Sequence, residues 1–444
     1  MGDTIHDDTQ PTASIEGHVT PGDGFVPLTG SPANLSAVAL IEAQAARRPD
    51  HIALKQDGRV ITYGRFNQQA NAVAHGLLAL PHGDPALVAL VMEHNPEKII
   101  AMSGALKAGM AYAMLNSALG DDDLGELLDH SGARLVVVDR AHHGRVARLV
   151  SPGCMVLPIE ALLATADRGN PGIATTPRTL SSISYTSGST GSPKAVARNL
   201  GHEMLCIRAM HNMAGLGPED VVAQLQNLWF THVFAALIAG ATLVLFDLRH
   251  GNFSDLGRLL REEAITYYGG MATGFLQFLR TLEDGARFPA MRAVELTGEP
   301  VGGEDLALFR RAFAPHCTLI ASYTSSEQAR MTSLVIDPSA RLAPDAVLPV
   351  GRAAQDITVS LVDEALRPVP EGEIGEIVVA SAFPSLGYWR DPERTAATWV
   401  RAPGEDHLLY LTGDMDRQDA TGFMQIVGRK DDQIKIRGRL FFSS

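Results

Sequence analysis

The chain contains several short runs of apolar residues without the polar alternation of a strand that has one face in solvent. Four of these runs, rich in Val, Leu and Ala, occupy residues 86–92, 135–139, 242–247 and 293–297. Such runs indicate strands that are buried on both faces, as in parallel sheets covered by helices. Stretches with helical patterning, which include residues 63–80, 202–214 and 304–313, alternate with them. The sequence therefore predicts an α/β fold of stacked sheets with helices between and around them.

The length predicts more than one packed unit, because 444 residues exceed the size of a single ordinary core. Residues 1–34 are rich in Asp, Thr, Pro and Gly and have no apolar run of the kind a signal peptide requires, so they predict a mobile leader. Residues 35–333 are predicted to form the α/β core. In residues 334–427, strand-like segments at 357–361 and 376–380 are separated by Pro and Gly, which predicts a smaller, β-barrel-like subdomain.

Charge and cysteine content exclude several classes of protein. The 37 basic and 50 acidic residues give a net charge of −13, whereas a protein that binds nucleic acid needs a basic surface to neutralise phosphates. The longest apolar run, residues 233–246, is shorter than the roughly 20 residues of a membrane-spanning helix, so we expect no membrane partner. The cysteines Cys154, Cys206 and Cys317 are widely separated, which favours a reducing, cytoplasmic environment over a disulfide framework.

The stretch Ser-Tyr-Thr-Ser-Gly-Ser-Thr-Gly-Ser-Pro-Lys at residues 184–194 has the composition of a phosphate-binding loop. Gly188 and Gly191 allow the backbone amides to turn toward an anion, while the hydroxyl groups add donors and Lys194 adds a positive charge. A flexible linker is the alternative, but a linker is not expected to follow a strand-like run and end in Pro-Lys. A Walker loop requires Gly directly before the Lys, and Pro193 occupies that position.

This loop resembles the signature of the adenylate-forming superfamily, which includes acyl-CoA synthetases, luciferases and the adenylation domains of nonribosomal peptide synthetases. Four further segments resemble the motifs of this family in the same order, namely residues 106–112, 236–245, 323–327 (Tyr-Thr-Ser-Ser-Glu) and 410–414 (Tyr-Leu-Thr-Gly-Asp). Residues 428–438, Gly-Arg-Lys-Asp-Asp-Gln-Ile-Lys-Ile-Arg-Gly, resemble the segment that links the large and small domains of the family. The order of the matches across most of the chain favours the family over chance.

The resemblance implies a role for each matched residue. The phosphate-binding residues of the loop are Thr186, Ser187, Gly188, Ser189, Thr190, Gly191 and Lys194. Tyr323, flanked by Ser322 and Thr324, is expected to stack on adenine, and Asp414 to accept the ribose hydroxyls, with Arg429 nearby. Glu327 is expected to bind Mg²⁺, which prefers oxygen ligands. Lys194, Glu327 and Thr190 are the predicted catalytic residues, and Asp431 is the predicted hinge.

The implied reaction is ATP-dependent activation of a carboxylic acid as an acyl-adenylate, with ATP and Mg²⁺ as cofactors. The acyl group then passes to the phosphopantetheine thiol of a carrier protein. A ligase that uses CoA for an acyl or aryl acid is the alternative enzyme, and a non-catalytic module that binds a nucleotide or an acid is the alternative from another class. Residues 428–444 are expected to be the hinge and the start of a truncated small domain.

The same resemblance places a set of residues at the substrate pocket, namely Asn227, Leu228, Thr231, Glu295, Thr297, Ser322, Arg330 and Met331. Members that activate α-amino acids have an Asp at the position of Asn227, so the neutral amide favours an acid without an α-amine, such as an aryl acid. Arg330 is a candidate for binding a second carboxylate, and Glu295 for binding a displaced amine. Either charge can instead pair with a neighbour or face solvent.

Overall fold

The computed structural model describes residues 15–186, 194–225, 230–249, 251–283, 287–402, 407–418, 423–430, 433–436 and 439–442, without the side chains of residues 186, 433–436 and 439–442. Within these ranges the strands form two large mixed sheets, a smaller antiparallel sheet and a terminal hairpin. The hairpin consists of β22 (Gln433–Ile436) and β23 (Arg439–Phe442).

The larger sheet has nine strands among the described residues: β1 (Ile52–Gln56), β2 (Arg59–Thr62), β9 (Val221–Gln224), β10 (Thr242–Leu245), β11 (Tyr267–Met271), β12 (Ala293–Thr297), β13 (Thr318–Ser325), β14 (Ala329–Ile336) and β15 (Arg352–Ala353). Their order is β15-β14-β13-β12-β11-β9-β10-β1-β2. The central strands from β13 to β1 are parallel, and the edge strands β14, β15 and β2 are antiparallel to their neighbours. All five residues of β12 are buried, as expected for a strand covered on both faces.

The second sheet has seven strands in the described ranges: β3 (Leu87–Val91), β4 (Ala111–Leu115), β5 (Leu135–Val138), β6 (Met155–Pro158), β7 (Leu180–Thr186), β8 (Lys194–Asn199) and β18 (Gly387–Tyr388). Their order is β18-β8-β7-β4-β3-β5-β6. The strands from β6 to β7 are parallel, whereas β8 and β18 are antiparallel additions at one edge. The strands that flank the predicted phosphate loop in the sequence, β7 and β8, are therefore neighbours next to this edge.

Twelve α-helices lie in the described part of the chain: α1 (Ala37–Arg47), α2 (Tyr63–Leu78), α3 (Pro96–Lys107), α4 (Asp121–Ser131), α5 (Arg140–Leu149), α6 (Ile159–Leu163), α7 (Leu200–Ala214), α8 (Phe230–Ala239), α9 (Phe253–Glu262), α10 (Ala272–Arg280), α11 (Gly303–Ala312) and α12 (Pro392–Thr398). Phe66 of α2, Ile207 of α7 and Phe234 of α8 belong to one apolar cluster. That cluster also includes Leu90 from the seven-stranded sheet and Leu243 from the nine-stranded sheet. These helices therefore lie between the two sheets and form the central core.

The smaller sheet has five strands among the described residues: β16 (Ile357–Val362), β17 (Ile374–Ser381), β19 (Trp399–Arg401), β20 (Leu408–Gln418) and β21 (Met424–Arg429). The order is β16-β17-β20-β19, and β21 also pairs with β20. β18 follows β17 in the chain but joins β8 of the seven-stranded sheet. The chain thus connects the β-rich region to the edge strand that begins with Lys194.

The strands and helices predicted from the apolar runs and the helical patterning are confirmed, with bounds that differ by at most two residues. Residues 236–245, one of the segments that resemble a family motif, are the end of α8 and the whole of β10. In residues 106–112, α3 ends at Lys107, and Gly109 has a φ of 69°, which makes the turn into β4. The stacked α/β fold with a smaller β-rich part is also confirmed, whereas the exact domain boundaries stay predictions.

The segment predicted to be a mobile leader makes contacts with the α/β core over the residues that the structure describes. The amide of Gly17 donates to the carbonyl of Val335, which extends the edge of the nine-stranded sheet. The amide of Leu28 donates to Asn212 Oδ1 of α7 at 2.8 Å. Backbone groups of the segment make these contacts, so its polar composition gave no indication of them.

In the described part of the chain, no helix is both long enough and apolar enough to cross a bilayer.

Asp220 and Arg292 form a buried ion pair that connects the loops before β9 and β12. Arg292 Nε lies 2.7 Å from Asp220 Oδ1, and Arg292 Nη2 lies 2.6 Å from Oδ2. We predict that Asp220→Ala lowers the free energy of unfolding by about 3–5 kcal/mol, because it leaves a guanidinium buried without its partner. Asp121→Ala is the control: Asp121 also pairs with an arginine but is 57% exposed, so its loss should cost less than about 1 kcal/mol. Equal losses in urea denaturation would contradict the assignment.

Candidate active site

Lys194 and Glu327 meet where the two large sheets come together. Lys194 is the first residue of β8, directly after the predicted phosphate loop, and Glu327 lies in the turn between β13 and β14. Lys194 Nζ lies 2.5 Å from Glu327 Oε1. The structure therefore brings together two of the predicted catalytic residues, which are 133 positions apart in the sequence.

Tyr388 of β18 completes this contact. Its hydroxyl donates to Glu327 Oε1 at 2.7 Å, and Lys194 Nζ lies 5.2 Å from the centre of its ring. Glu327 is only 6% exposed, and burial alone would raise the pKa of its carboxyl. The positive charge of Lys194 and the hydrogen bonds outweigh burial and hold that pKa below its ordinary value. Glu327 is therefore a buried, charged carboxylate.

Asp414, predicted to bind ribose, lies on β20 between Tyr323 and Arg429. Arg429 Nη1 lies 2.6 Å from Asp414 Oδ1, and the hydroxyl of Tyr323 donates to Oδ2. Burial and the neighbouring carboxylate raise the pKa of Tyr323 well above its usual value, so the phenol is a neutral donor. The residues predicted to contact adenine and ribose are thus adjacent and joined by a hydrogen bond.

A further carboxylate, Glu376 of β17, contacts the backbone of β20 at Gly413, the residue before Asp414. The amide of Gly413 donates to Glu376 Oε1 at 3.0 Å, and Lys430 Nζ donates to Oε2 at 3.2 Å. The amide of Lys430 also donates to the carbonyl of Gly413 at 2.8 Å. Arg429 and Lys430, immediately before the predicted hinge, are therefore attached to the same part of β20.

Glu295 and Arg330, the two charges of the predicted pocket, pair with each other. Arg330 Nη1 lies 2.5 Å from Glu295 Oε1, and Glu295 is 0% exposed. The hydroxyl of Tyr267 donates to Glu295 Oε2 at 2.6 Å, and His232 Nε2 lies 3.6 Å from the same oxygen. Burial alone would raise the pKa of Glu295, but Arg330 and then His232 hold it well below its usual range. The pair is thus ionised and internally neutralised.

Hydroxyl groups surround this pair on the neighbouring strands. Arg330 Nη1 also donates to Ser322 Oγ at 2.6 Å and to Ser333 Oγ at 3.0 Å. Thr297 and Thr324, near the C-terminal ends of β12 and β13, share a hydrogen bond of 2.5 Å. The predicted pocket residues Ser322 and Arg330 therefore form one buried polar cluster with Glu295, and Thr297 follows Glu295 on the same strand.

Several predicted residues are elsewhere or are not described. Met331 packs with Val196 and Tyr388 in an apolar cluster that also contacts Tyr323. Thr231, in the first turn of α8, is half-buried beside His232. Thr186 ends β7, and its side chain is not described. Outside the described residues lie Ser187, Gly188, Ser189, Thr190, Gly191, Asn227, Leu228 and Asp431.

The sequence analysis missed His232, Tyr267, Glu376 and Tyr388. The sequence did contain an indication of His232 and Tyr267. An acidic residue such as Glu295 inside an apolar strand requires buried partners, and neighbouring strands or helices must supply them. Tyr388 and Glu376 had no comparable signal, since each acts on a residue that is distant in the sequence.

The comparisons with known proteins decide the family. The family model described as "AMP-binding enzyme" matches residues 41–389, which is most of the chain. The chain belongs to this family of AMP-binding enzymes. The membership predicted from the loop and the motifs that follow it is therefore confirmed.

Similar curated proteins include subunits of two peptide synthetases. The chain is 29% identical to surfactin synthase subunit 2 of Bacillus subtilis over 414 residues and 31% identical to tyrocidine synthase 3 of Brevibacillus parabrevis over 422 residues. These matches cover 90% and 92% of this chain but only 11% and 6% of the two relatives. The chain therefore corresponds to a small part of each relative.

Solved adenylation-domain structures have the same fold. The N-terminal subdomain of Klebsiella oxytoca NpsA in complex with 3-hydroxybenzoyl-AMSN is 26% identical, with a TM-score of 0.76, and the match covers 88% of this chain and 99% of that one. The AMPPNP-bound form of the nonribosomal peptide synthetase FmoA3 is 27% identical, with a TM-score of 0.81 and coverage of 91% and 44%. An artificially fused adenylation-PCP di-domain, NpsA-ThdA, is 25% identical, with a TM-score of 0.79 and coverage of 91% and 81%.

Asp414 gives a direct test of the nucleotide contact. We predict that Asp414→Ala weakens AMPPNP binding by about 1.5–3 kcal/mol in calorimetry, because the ribose hydroxyls lose a charged acceptor. Asp363→Ala is the control, since Asp363 also pairs with an arginine but lies in an exposed turn of the β-rich region. Unchanged affinity in Asp414→Ala would show that the ribose binds elsewhere.

Proposed function

We propose that this chain is an adenylation domain. It activates a carboxylic acid with ATP as an acyl-adenylate, releases pyrophosphate, and transfers the acyl group to the phosphopantetheine thiol of a carrier protein. The observation that supports this proposal most strongly is the contact of Lys194 with Glu327 between the two large sheets. It puts a cation and a buried carboxylate next to each other directly after the predicted phosphate loop.

The two charges suit the two parts of a metal-bound nucleotide. Lys194 is placed to contact phosphate oxygens at the end of the loop, while the ionised carboxylate of Glu327 is the kind of ligand that Mg²⁺ prefers. Among the described residues, no group of three or more His, Cys, Asp and Glu side chains can hold a metal ion by itself. A single carboxylate fits Mg²⁺, because this ion is commonly bound by one or two carboxylates together with substrate phosphates. The metal would neutralise phosphate charge at this position.

The chemistry requires positioning more than covalent participation by the protein. An oxygen of the substrate carboxylate attacks the α-phosphorus, and the bond between that phosphorus and the bridging oxygen to the β-phosphate breaks as pyrophosphate leaves. Lys194 stabilises the charge that develops on the phosphates, and Asp414 with Tyr323 holds the nucleoside in place. In the second step the thiol loses its proton and its sulfur attacks the acyl carbon. The bond between that carbon and the phosphate oxygen breaks, and AMP leaves with the electron pair of this bond.

A carrier protein is the proposed acceptor because the similar proteins belong to peptide synthetases and one similar structure is an adenylation domain fused to a PCP. We infer a cytoplasmic location for the reaction, since ATP is available there. The test of the whole proposal is exchange of labelled pyrophosphate into ATP, measured on a chain that includes the expected small domain. Exchange that requires an added carboxylic acid is the expected result. Tight AMPPNP binding without exchange for any acid would identify a non-catalytic module, and acyl transfer to CoA but not to a carrier protein would identify a CoA ligase.

Lys194 separates binding from catalysis. We predict that Lys194→Ala lowers the rate of acid-dependent exchange by about 100-fold or more, while the KM for ATP changes less than about threefold, because the charge acts mainly on the developing transition state. Lys55→Ala, which breaks the ion pair with Glu263 away from the site, is the control and should change neither value. Equal losses in rate and ATP affinity would indicate a simple binding role.

The substrate side of the site favours an acid whose remaining part is uncharged. A charged substrate group that bound Arg330 or Glu295 would leave the other charge buried without a partner, which costs several kcal/mol. The hydroxyl groups of Thr297 and Thr324 suit a neutral substrate that forms hydrogen bonds. A hydroxy or aryl acid therefore fits this surface, in agreement with the sequence-based argument from Asn227.

Glu295→Gln should change this preference. With the carboxylate removed, Arg330 is left to pair with a substrate anion, so we predict at least about a tenfold gain for dicarboxylic acids relative to neutral acids in the exchange assay. Glu97→Gln, which removes a surface partner of Arg59, is the matched control and should leave the preference unchanged. If the unmutated protein already prefers a dicarboxylic or a diamino acid, the internal neutralisation of the pair is the wrong explanation.

A further inference from the structure

Arg198, on β8, reaches across from the seven-stranded sheet to the turn that contains Glu327. Its side chain is 12% exposed. Arg198 Nη1 donates to Ser184 Oγ of β7 at 2.9 Å, and Nη2 donates to the backbone carbonyl of Ser326. Ser326 directly precedes Glu327, so one guanidinium connects the strand that enters the phosphate loop with the turn that presents the carboxylate.

The buried carboxylate of Glu203 lies beside the same guanidinium nitrogen that donates to Ser184. Glu203 Oε1 of α7 lies 3.9 Å from Arg198 Nη1, and Ser182 Oγ donates to the same carboxylate oxygen at 2.7 Å. Burial raises the pKa of Glu203, and the neighbouring Arg198 and Ser182 oppose that rise. Because a guanidinium is planar and presents its donors in a fixed fork, two contacts on one side set the direction of the third.

Arg198 contacts a different atom of the β13–β14 turn from the one that Lys194 and Tyr388 contact. Lys194 and Tyr388 both contact Glu327 through Oε1, one of the two carboxylate oxygens available to a metal ion. Arg198 instead contacts a backbone carbonyl one residue earlier. Its hydrogen bond can therefore persist when Lys194 moves to phosphate and the carboxylate of Glu327 binds a cation.

We propose that Arg198 is a positioning residue for Glu327, which keeps the carboxylate directed at the nucleotide site after the ion pair with Lys194 has been exchanged for ligand contacts. This inference rests on the proposed function, since it concerns how the chain holds Mg²⁺ together with ATP. Groups that orient a metal ligand without touching the metal commonly change metal affinity by 10–100-fold when they are removed.

The test is a calorimetric titration of AMPPNP into the 444-residue chain at a series of Mg²⁺ concentrations. Arg198→Met keeps the length of the side chain but removes its donors, and it should raise the Mg²⁺ concentration for half-maximal AMPPNP binding about tenfold. Binding of AMPPNP without Mg²⁺ should be unchanged. Arg198→Lys keeps the charge but not the fork, and it should give a smaller shift in the same direction.

Arg208→Met is the matched control. Arg208 is a buried arginine of α7 that pairs with Asp356, away from Lys194 and Glu327, so its loss destabilises the fold without altering the Mg²⁺ dependence. Equal Mg²⁺ shifts in the two methionine variants, or no shift in either Arg198 variant, would overturn the positioning role. If Arg198→Met does not fold, Arg198→Lys decides alone. Absence of AMPPNP binding by the unmutated chain would instead overturn the proposed function, and this inference with it.

Discussion

Lys194 and Glu327 belong to different sheets, and their contact depends on how the two sheets are placed. β8 is an antiparallel addition at the edge of the seven-stranded sheet, while the β13–β14 turn lies near the edge of the nine-stranded sheet. Helices α2, α7 and α8 between the sheets set the separation, because their large apolar side chains fill the space between. The 2.5 Å contact of the two charges is thus a result of core packing rather than of local sequence.

A second feature of the site is that its carboxylates have cationic partners within the chain. Glu327 pairs with Lys194, Asp414 with Arg429, Glu295 with Arg330, and Glu376 with Lys430. The chain as a whole has a net charge of −13, yet these pairs make the site itself close to neutral. An acidic protein can therefore accept an anionic nucleotide, since the local pairs and not the total charge determine the field at short range.

Some parts of the structure were predictable from the sequence, whereas the partners in the ion pairs were not. Strands such as β12 were predictable because burial on both faces requires an uninterrupted apolar run. The proximity of Tyr323 to Asp414 was predictable because family motifs mark both residues. The partners of Glu295 were not, since Arg330 and Tyr267 reach it from other strands of the sheet. Tyr388 and Arg198 act over 61 and 128 positions of sequence, respectively, and only the folded arrangement of the sheets reveals their contacts.

We expect that binding of a metal-bound nucleotide breaks the Lys194–Glu327 ion pair and that both side chains then contact the ligand. A crystal structure of the chain with AMPPNP and Mg²⁺ tests it most directly. In that structure we expect Lys194 Nζ to contact phosphate oxygens instead of Glu327. A Glu327 oxygen should lie about 2.0–2.1 Å from Mg²⁺. The hydrogen bond from Arg198 to the carbonyl of Ser326 should remain. A nucleotide bound with the Lys194–Glu327 pair still in contact would contradict this account.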